Sequence, residues 1–184
     1  MMRVLFVGDR FVAGVGDPAY AGWVGRLCAA SRADLTLSNL GVRQQTSVEI
    51  AQRWHAEAVT RWANDAPYGL VFAFGVNDVV EQQGMLRVGH EESLAVTRLM
   101  LSQAQTLGPV LRIGPPPVAD SALCARLQGL DAGFAGVAQG LGVPYLSVLG
   151  PLLRHETWMQ QVALGDGAYP TGEGYAALAE LEAG

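Results

Sequence analysis

Two stretches of the chain are apolar without polar alternation, Val4-Leu5-Phe6-Val7 and Leu70-Val-Phe-Ala-Phe74. Runs of this kind, rich in β-branched and aromatic residues, predict strands covered on both faces, as in a parallel sheet. Leu35 to Leu40, Val110 to Ile113 and Tyr145 to Val148 complete a set of five expected strands. Helical spacing fills the intervals. Residues 19–31 put Trp23, Leu27 and Ala30 on one face. Over residues 46–63, Ile50, Trp54, Ala58 and Trp62 recur every four positions behind a capping Thr46 or Ser47. Further helices are expected over residues 91–107, with Glu91 and Glu92 where the helix dipole favours them, and over 120–141, 152–163 and 172–182.

Strand and helix alternate five times. Each parallel crossover needs a covering helix, so the pattern predicts one α/β domain over residues 1–184, with helices on both faces of a parallel sheet of about five strands. Three loops follow their strands directly: Gly8-Asp9-Arg10, Asn39-Leu-Gly41 and Gly75-Val-Asn77-Asp78. Chemistry in open parallel sheets sits beyond the carboxyl ends of the strands, so these loops are where function is expected.

Half the residues are hydrophobic, enough for one sizeable core. Twelve basic against seventeen acidic residues leave a net charge of −5 with no basic block, which argues against nucleic acid or an anionic membrane as partner. No apolar run reaches the length of a membrane span. The first strand begins at residue 3, leaving no room for a signal peptide, and a cytoplasmic protein is expected. Cys28 and Cys124 read as reduced core thiols. His55, His90 and His155 lack metal spacing, and no nucleotide-binding glycine loop is present, so neither metal nor cofactor is expected.

The strand-end loops carry a resemblance. Gly8-Asp9-Arg10-Phe-Val-Ala-Gly14 resembles the first block of the SGNH, or GDSL, hydrolases, Gly-Asp-Ser with a Gly four residues after the Ser. Asn39-Leu-Gly41-Val-Arg43-Gln44-Gln-Thr46-Ser47 resembles the second, with its second Gly replaced by Gln44. Gly75-Val-Asn77-Asp78 matches the third, and Asp166-Gly-Ala-Tyr169-Pro170 resembles the last, Asp-x-x-His-Pro. The resemblance implies a flavodoxin-like three-layer α/β/α sandwich. It also implies an ester-hydrolase site in which Gly41 and Asn77 bind the oxyanion and Asp166 orients the base. The serine position is Arg10 and the histidine position is Tyr169.

Those two departures change the expected chemistry. A guanidinium has no lone pair with which to attack, and a phenol is a poor general base near neutral pH. The expectation is therefore a family member that is not a serine esterase and that binds a small acyl or anionic ligand at the retained oxyanion site. Arg10 either pairs with Asp166 as an inert relic or anchors an anion together with Asn77 and Gly41. Asp9, Arg43, Gln44 and Asp78 are candidate ligand-binding neighbours. Two alternatives stay open. One is a non-hydrolytic enzyme that runs a proton transfer, elimination or cyclisation on Arg10 and Tyr169. The other is a divergent esterase with another nucleophile, such as Ser47.

Overall fold

The computed structural model describes residues 2–61 and 67–183. In chain order its elements are β1 (Met2–Gly8), α1 (Gly22–Ala30), β2 (Leu35–Gly41), α2 (Ser47–Val59), β3 (Tyr68–Ala73), β4 (Glu81–Gln82), β5 (Met85–Leu86), α3 (His90–Gln105), β6 (Val110–Ile113), α4 (Ser121–Leu141), β7 (Tyr145–Leu146), α5 (Leu149–Leu153), α6 (Glu156–Leu164) and α7 (Gly172–Ala183). Five strands form one parallel sheet in the order β2-β1-β3-β6-β7, and β4 and β5 form a small antiparallel hairpin. This is the flavodoxin-like order, with the chain reversing direction of growth between β1 and β3.

The central strands behave as their patterns dictate. Every residue of β3 is buried, as is β1 from Leu5 onward, whereas the edge strand β2 is mostly accessible. Helices α1 and α7 pack together, while α2, α3 and α4 pack in a row, so the sheet lies between two helical layers. The core unites Leu5, Phe72 and Ile113 from the sheet with Trp23, Trp54, Phe134 and Trp158 from the helices. Among the described residues no helix is long and apolar enough to cross a membrane.

Several boundaries differ from the sequence pattern. The helix expected over 46–63 runs from Ser47 to Val59; Thr46 caps it, and its hydroxyl accepts from the Glu49 N–H at 3.4 Å while the Glu49 carboxylate takes the Thr46 N–H at 2.7 Å. That reciprocal pair fixes Thr46 as the cap and makes Ser47 the first helical residue. Trp62, assigned to the core face of this helix, lies outside the described residues. The single helix expected over 152–163 is two, α5 and α6, because His155 leaves helical geometry and caps α6, its Nδ1 accepting from the Trp158 N–H. The β4–β5 hairpin has no counterpart in the sequence reading, since two-residue strands leave no periodicity to detect.

Candidate functional site

The register sets three strand ends level: Gly8 pairs with Gly41 on one side and with Ala73 on the other. The loops after β1 and β2 are then locked together. The Asn39 amide donates to the Val12 carbonyl at 2.7 Å. A Cβ at Gly41 would stand 2.2 Å from the Ala13 nitrogen, so only glycine permits this approach. Arg53, from α2, spans both strand ends, donating to the carbonyls of Gly8 at 3.0 Å and Leu40 at 2.9 Å while pairing with Glu57. These half-buried carbonyls have no other side-chain donor among the described residues. Arg53→Leu is expected to lower the unfolding free energy by about 2 kcal/mol in urea titration, the usual effect of removing charged hydrogen bonds. An unchanged midpoint means the tie is dispensable.

Arg10 follows β1 directly. Its guanidinium lies beside the Phe11 ring, 5.3 Å from the centroid, and its Nε is buried without a partner. Asp166 and Tyr169 come from the loop before α7. The Asp166 carboxylate accepts the N–H groups of Ala168 at 2.9 Å and Tyr169 at 3.4 Å. Partial burial pushes its carboxyl up, but those N–H groups and the nearby Arg10 charge outweigh this and hold it below the ordinary range. No salt bridge joins Arg10 to Asp166 among the described residues. The Tyr169 ring lies on Gly16, where a Cβ would come within 2.3 Å of Cδ2. Its hydroxyl accepts from Arg43 Nη2 at 3.4 Å, across from the loop after β2. Arg43, Tyr169 and Asp166 are thus joined by hydrogen bonds across two loops, with the Arg10 charge close enough to act on Asp166.

The other residues named from the sequence lie deeper or are already engaged. Asn77 is 1 % exposed and donates to the Gln45 carbonyl at 2.8 Å. The Gly41 N–H donates to the Asn39 carboxamide oxygen at 2.9 Å, within its own loop. Asp78 is fully buried; it accepts the Ser47 N–H at 2.8 Å and the Ser93 hydroxyl at 2.5 Å, and burial raises its carboxyl. Asp78 is therefore a brace between α2, α3 and the loop after β3. Asp9 is turned into the core, its Oδ1 accepting the Phe11 N–H at 3.0 Å. Gln44 is exposed in a left-handed conformation, φ +64°, at the position where the motif carries glycine. Ser47 is fully buried.

Three further groups frame the site without having been singled out from the pattern. Arg112 is fully buried in β6 and donates to the carbonyls of Phe72, Ile113 and Phe74, with its guanidinium 4.1 Å and 4.3 Å from the ring centroids of Phe74 and Phe134. The visible signal was a charge in a four-residue strand that must be covered on both faces. Asp17 and Arg26 pair across the first loop, and Asp17 also takes the N–H groups of Ala19, Ala21 and Gly22. Arg26 above all, with those N–H groups, pulls the Asp17 carboxyl down to about 2. Tyr175, at the start of α7, donates to the Val15 carbonyl at 2.7 Å and so ties that helix to the same loop.

Comparison with known proteins agrees with this architecture. The model of the GDSL-like lipase/acylhydrolase family matches residues 6–177. Among solved structures, a lipase/acylhydrolase from Enterococcus faecalis superposes with a TM-score of 0.81 at 18 % identity, covering 100 % of this chain and 94 % of its own. A lipolytic G-D-S-L family protein from Veillonella parvula gives 0.80 at 17 %, covering 98 % and 96 %. The acetylxylan esterase Axe2 from Geobacillus stearothermophilus gives 0.81 at 15 %, covering 98 % and 91 %. No curated protein sequence matches significantly. The identities are low enough that the superpositions speak for fold alone, but the family model spans nearly the whole chain, from β1 into α7. The chain belongs to the GDSL-like lipase/acylhydrolase family.

Proposed function

We propose that this chain uses the GDSL fold to bind a small acyl or other anionic ligand, and that it does not hydrolyse esters by a serine mechanism. The carrying observation is Arg10. It stands where the first sequence block has its serine, and its side chain has no hydrogen-bond or ion-pair partner among the described residues. A permanently charged fork held at the strand ends and left unpaired is suited to a carboxylate or phosphate. Arg43, hydrogen-bonded to the Tyr169 hydroxyl, supplies a second cation on the neighbouring loop. Asn77 spends one amide N–H on Gln45 and has a second to offer. The Gly41 N–H, already engaged by Asn39, is not counted among the ligand donors in this reading.

The hydrolytic alternatives lose support from the same geometry. Arg10 provides no nucleophile. Ser47 is fully buried at the first turn of α2, out of reach of an ester carbonyl.

The test is a calorimetric titration of butyrate into the native protein and Arg10→Ala, with p-nitrophenyl butyrate hydrolysis measured on both. Native protein should bind butyrate, Arg10→Ala should bind it about ten- to a hundredfold more weakly, and hydrolysis should stay at the buffer rate. Turnover by the native protein that a serine-reactive phosphonate abolishes, or butyrate affinity indifferent to Arg10, overturns the proposal.

A further inference from the structure

The interior holds carboxyl oxygens that nothing serves, one of them on the residue next to Arg10. Asp9 Oδ2 is buried without a partner, and so are both carboxyl oxygens of Glu182, in the last turn of α7. These two residues are far apart in the chain, yet they line the same small cavity of about 10 Å³, walled by Phe11, Trp23, Phe74 and Leu178. That volume is at the lower bound for a single water molecule. Ionised carboxylates in apolar surroundings take up a proton instead of staying charged.

The charges facing Asp9 come from several elements: Arg10 beside it, Asp78 from the loop after β3 and Arg112 from β6, while the buried phenol of Tyr175 approaches from α7. Around Glu182 the cavity offers no charged group except Asp9 among the described residues. Burial pushes the Asp9 carboxyl up to about 6, against the pull of the Phe11 N–H and of Arg10, and pushes Glu182 well above the ordinary range.

We propose that Asp9 is a buried proton-holding group, and that its proton is linked to anion binding at Arg10. The inference rests on the reading of Arg10 as an anion site. When Asp9 is ionised, its charge offsets Arg10 and repels an incoming anion. When Asp9 is neutral, Arg10 acts alone. Linkage makes the effect reciprocal: a bound anion raises the proton affinity of Asp9, and protonation of Asp9 tightens the anion by the same factor. Anion affinity therefore rises as pH falls through the range in which Asp9 takes its proton.

The probe is 1-butanesulfonate, which stays charged throughout, titrated into native protein, Asp9→Asn and Glu182→Gln between pH 8 and pH 5. Native affinity should rise about three- to tenfold toward pH 5, because a neighbouring charge moves a carboxyl by up to roughly a tenfold in proton affinity. Asp9→Asn should bind with a pH-independent affinity at the acid-side level. Glu182→Gln should leave the pH dependence in place, because no hydrogen bond joins Glu182 to Asp9; its loss in that variant puts the proton on Glu182 and overturns the assignment to Asp9. Binding that is flat with pH in the native protein overturns the linkage while leaving the anion site intact. No sulfonate binding at any pH overturns the anion site and the linkage together. A ¹³C-carboxyl NMR titration judges the proton on Asp9 independently, and Asp9 titrating below pH 4 overturns it.

Discussion

Arg112→Ala is expected to lower the unfolding free energy by about 4–5 kcal/mol, the largest effect of any single substitution considered. The side chain is fully enclosed and its guanidinium reaches three carbonyls at the ends of β3 and β6. Removing it takes a charged donor from those acceptors, each loss costing roughly 1–3 kcal/mol, and leaves a void between Phe74 and Phe134. Burial pulls the guanidinium down to about 10, still far enough above neutral pH for the group to stay charged. Its stacking on two rings in a desolvated setting adds roughly 2 kcal/mol. A protein of this size has about 5–15 kcal/mol in hand, so the variant sits near the edge of folding. Arg112→Met separates the contributions. It fills the volume and keeps contact with the rings but donates nothing, and should lose about 2–3 kcal/mol in urea titration. If Met at this position is as stable as Arg, the carbonyl ends do not depend on the guanidinium and its place in the core is packing alone.

The consequence reaches the site. Phe74 precedes Gly75-Val-Asn77-Asp78, and its carbonyl is one of those Arg112 holds. Gly75 has φ +134° and lies against Phe134, which itself covers the guanidinium. The loop that presents Asn77 is thus seated on the Arg112 stack from below and tied to α2 and α3 through Asp78 from the side.

What was legible in the sequence was whatever repeats or stands next to a strand end. Val4 to Val7 and Leu70 to Phe74 announce buried strands because both faces are apolar, and the alternation with helices leaves a parallel sheet as the economical solution. The four motif blocks led to the same fold, and the family match spans them. Pairs that close over long sequence distances were not legible. Nothing in the spacing links Arg43 to Tyr169, Asp78 to Ser47, or Asp9 to Glu182. The pattern of the last helix carries no sign of which way Glu182 faces. Local breaks were hidden for a different reason. The His155 cap between α5 and α6 is a single-residue departure inside a stretch that otherwise keeps helical spacing.

The stability of this protein should peak in mild acid and decline toward neutral pH, opposite to the usual carboxylate behaviour. For Asp9, folding raises the carboxyl from 3.8 to about 6, so the folded state holds a proton that the unfolded state releases between those values. Its contribution is complete below pH 3.8 and is lost as pH rises through about 6, a change of roughly 3 kcal/mol. Burial raises Glu182 in the same direction, and it adds to the loss. Asp17 acts oppositely: lowered to about 2 by Arg26, it stabilises above the ordinary carboxyl range and loses that contribution as pH falls through about 2. The two limbs meet near pH 4. Urea unfolding from pH 3 to pH 8 should show the maximum there, and Asp9→Asn should remove much of the decline on the neutral side while leaving the acid limb in place. Asparagine keeps an oxygen for the Phe11 N–H and has no charge to bury, so at pH 8 the variant should be more stable than the native protein by about 2–3 kcal/mol. A native curve that climbs steadily from pH 4 to pH 7, or an Asp9→Asn variant less stable than native at pH 8, contradicts a buried, proton-holding Asp9. The charge in the core would then have found a partner, and Arg10, the nearest cation, would be that partner and no longer free for a ligand.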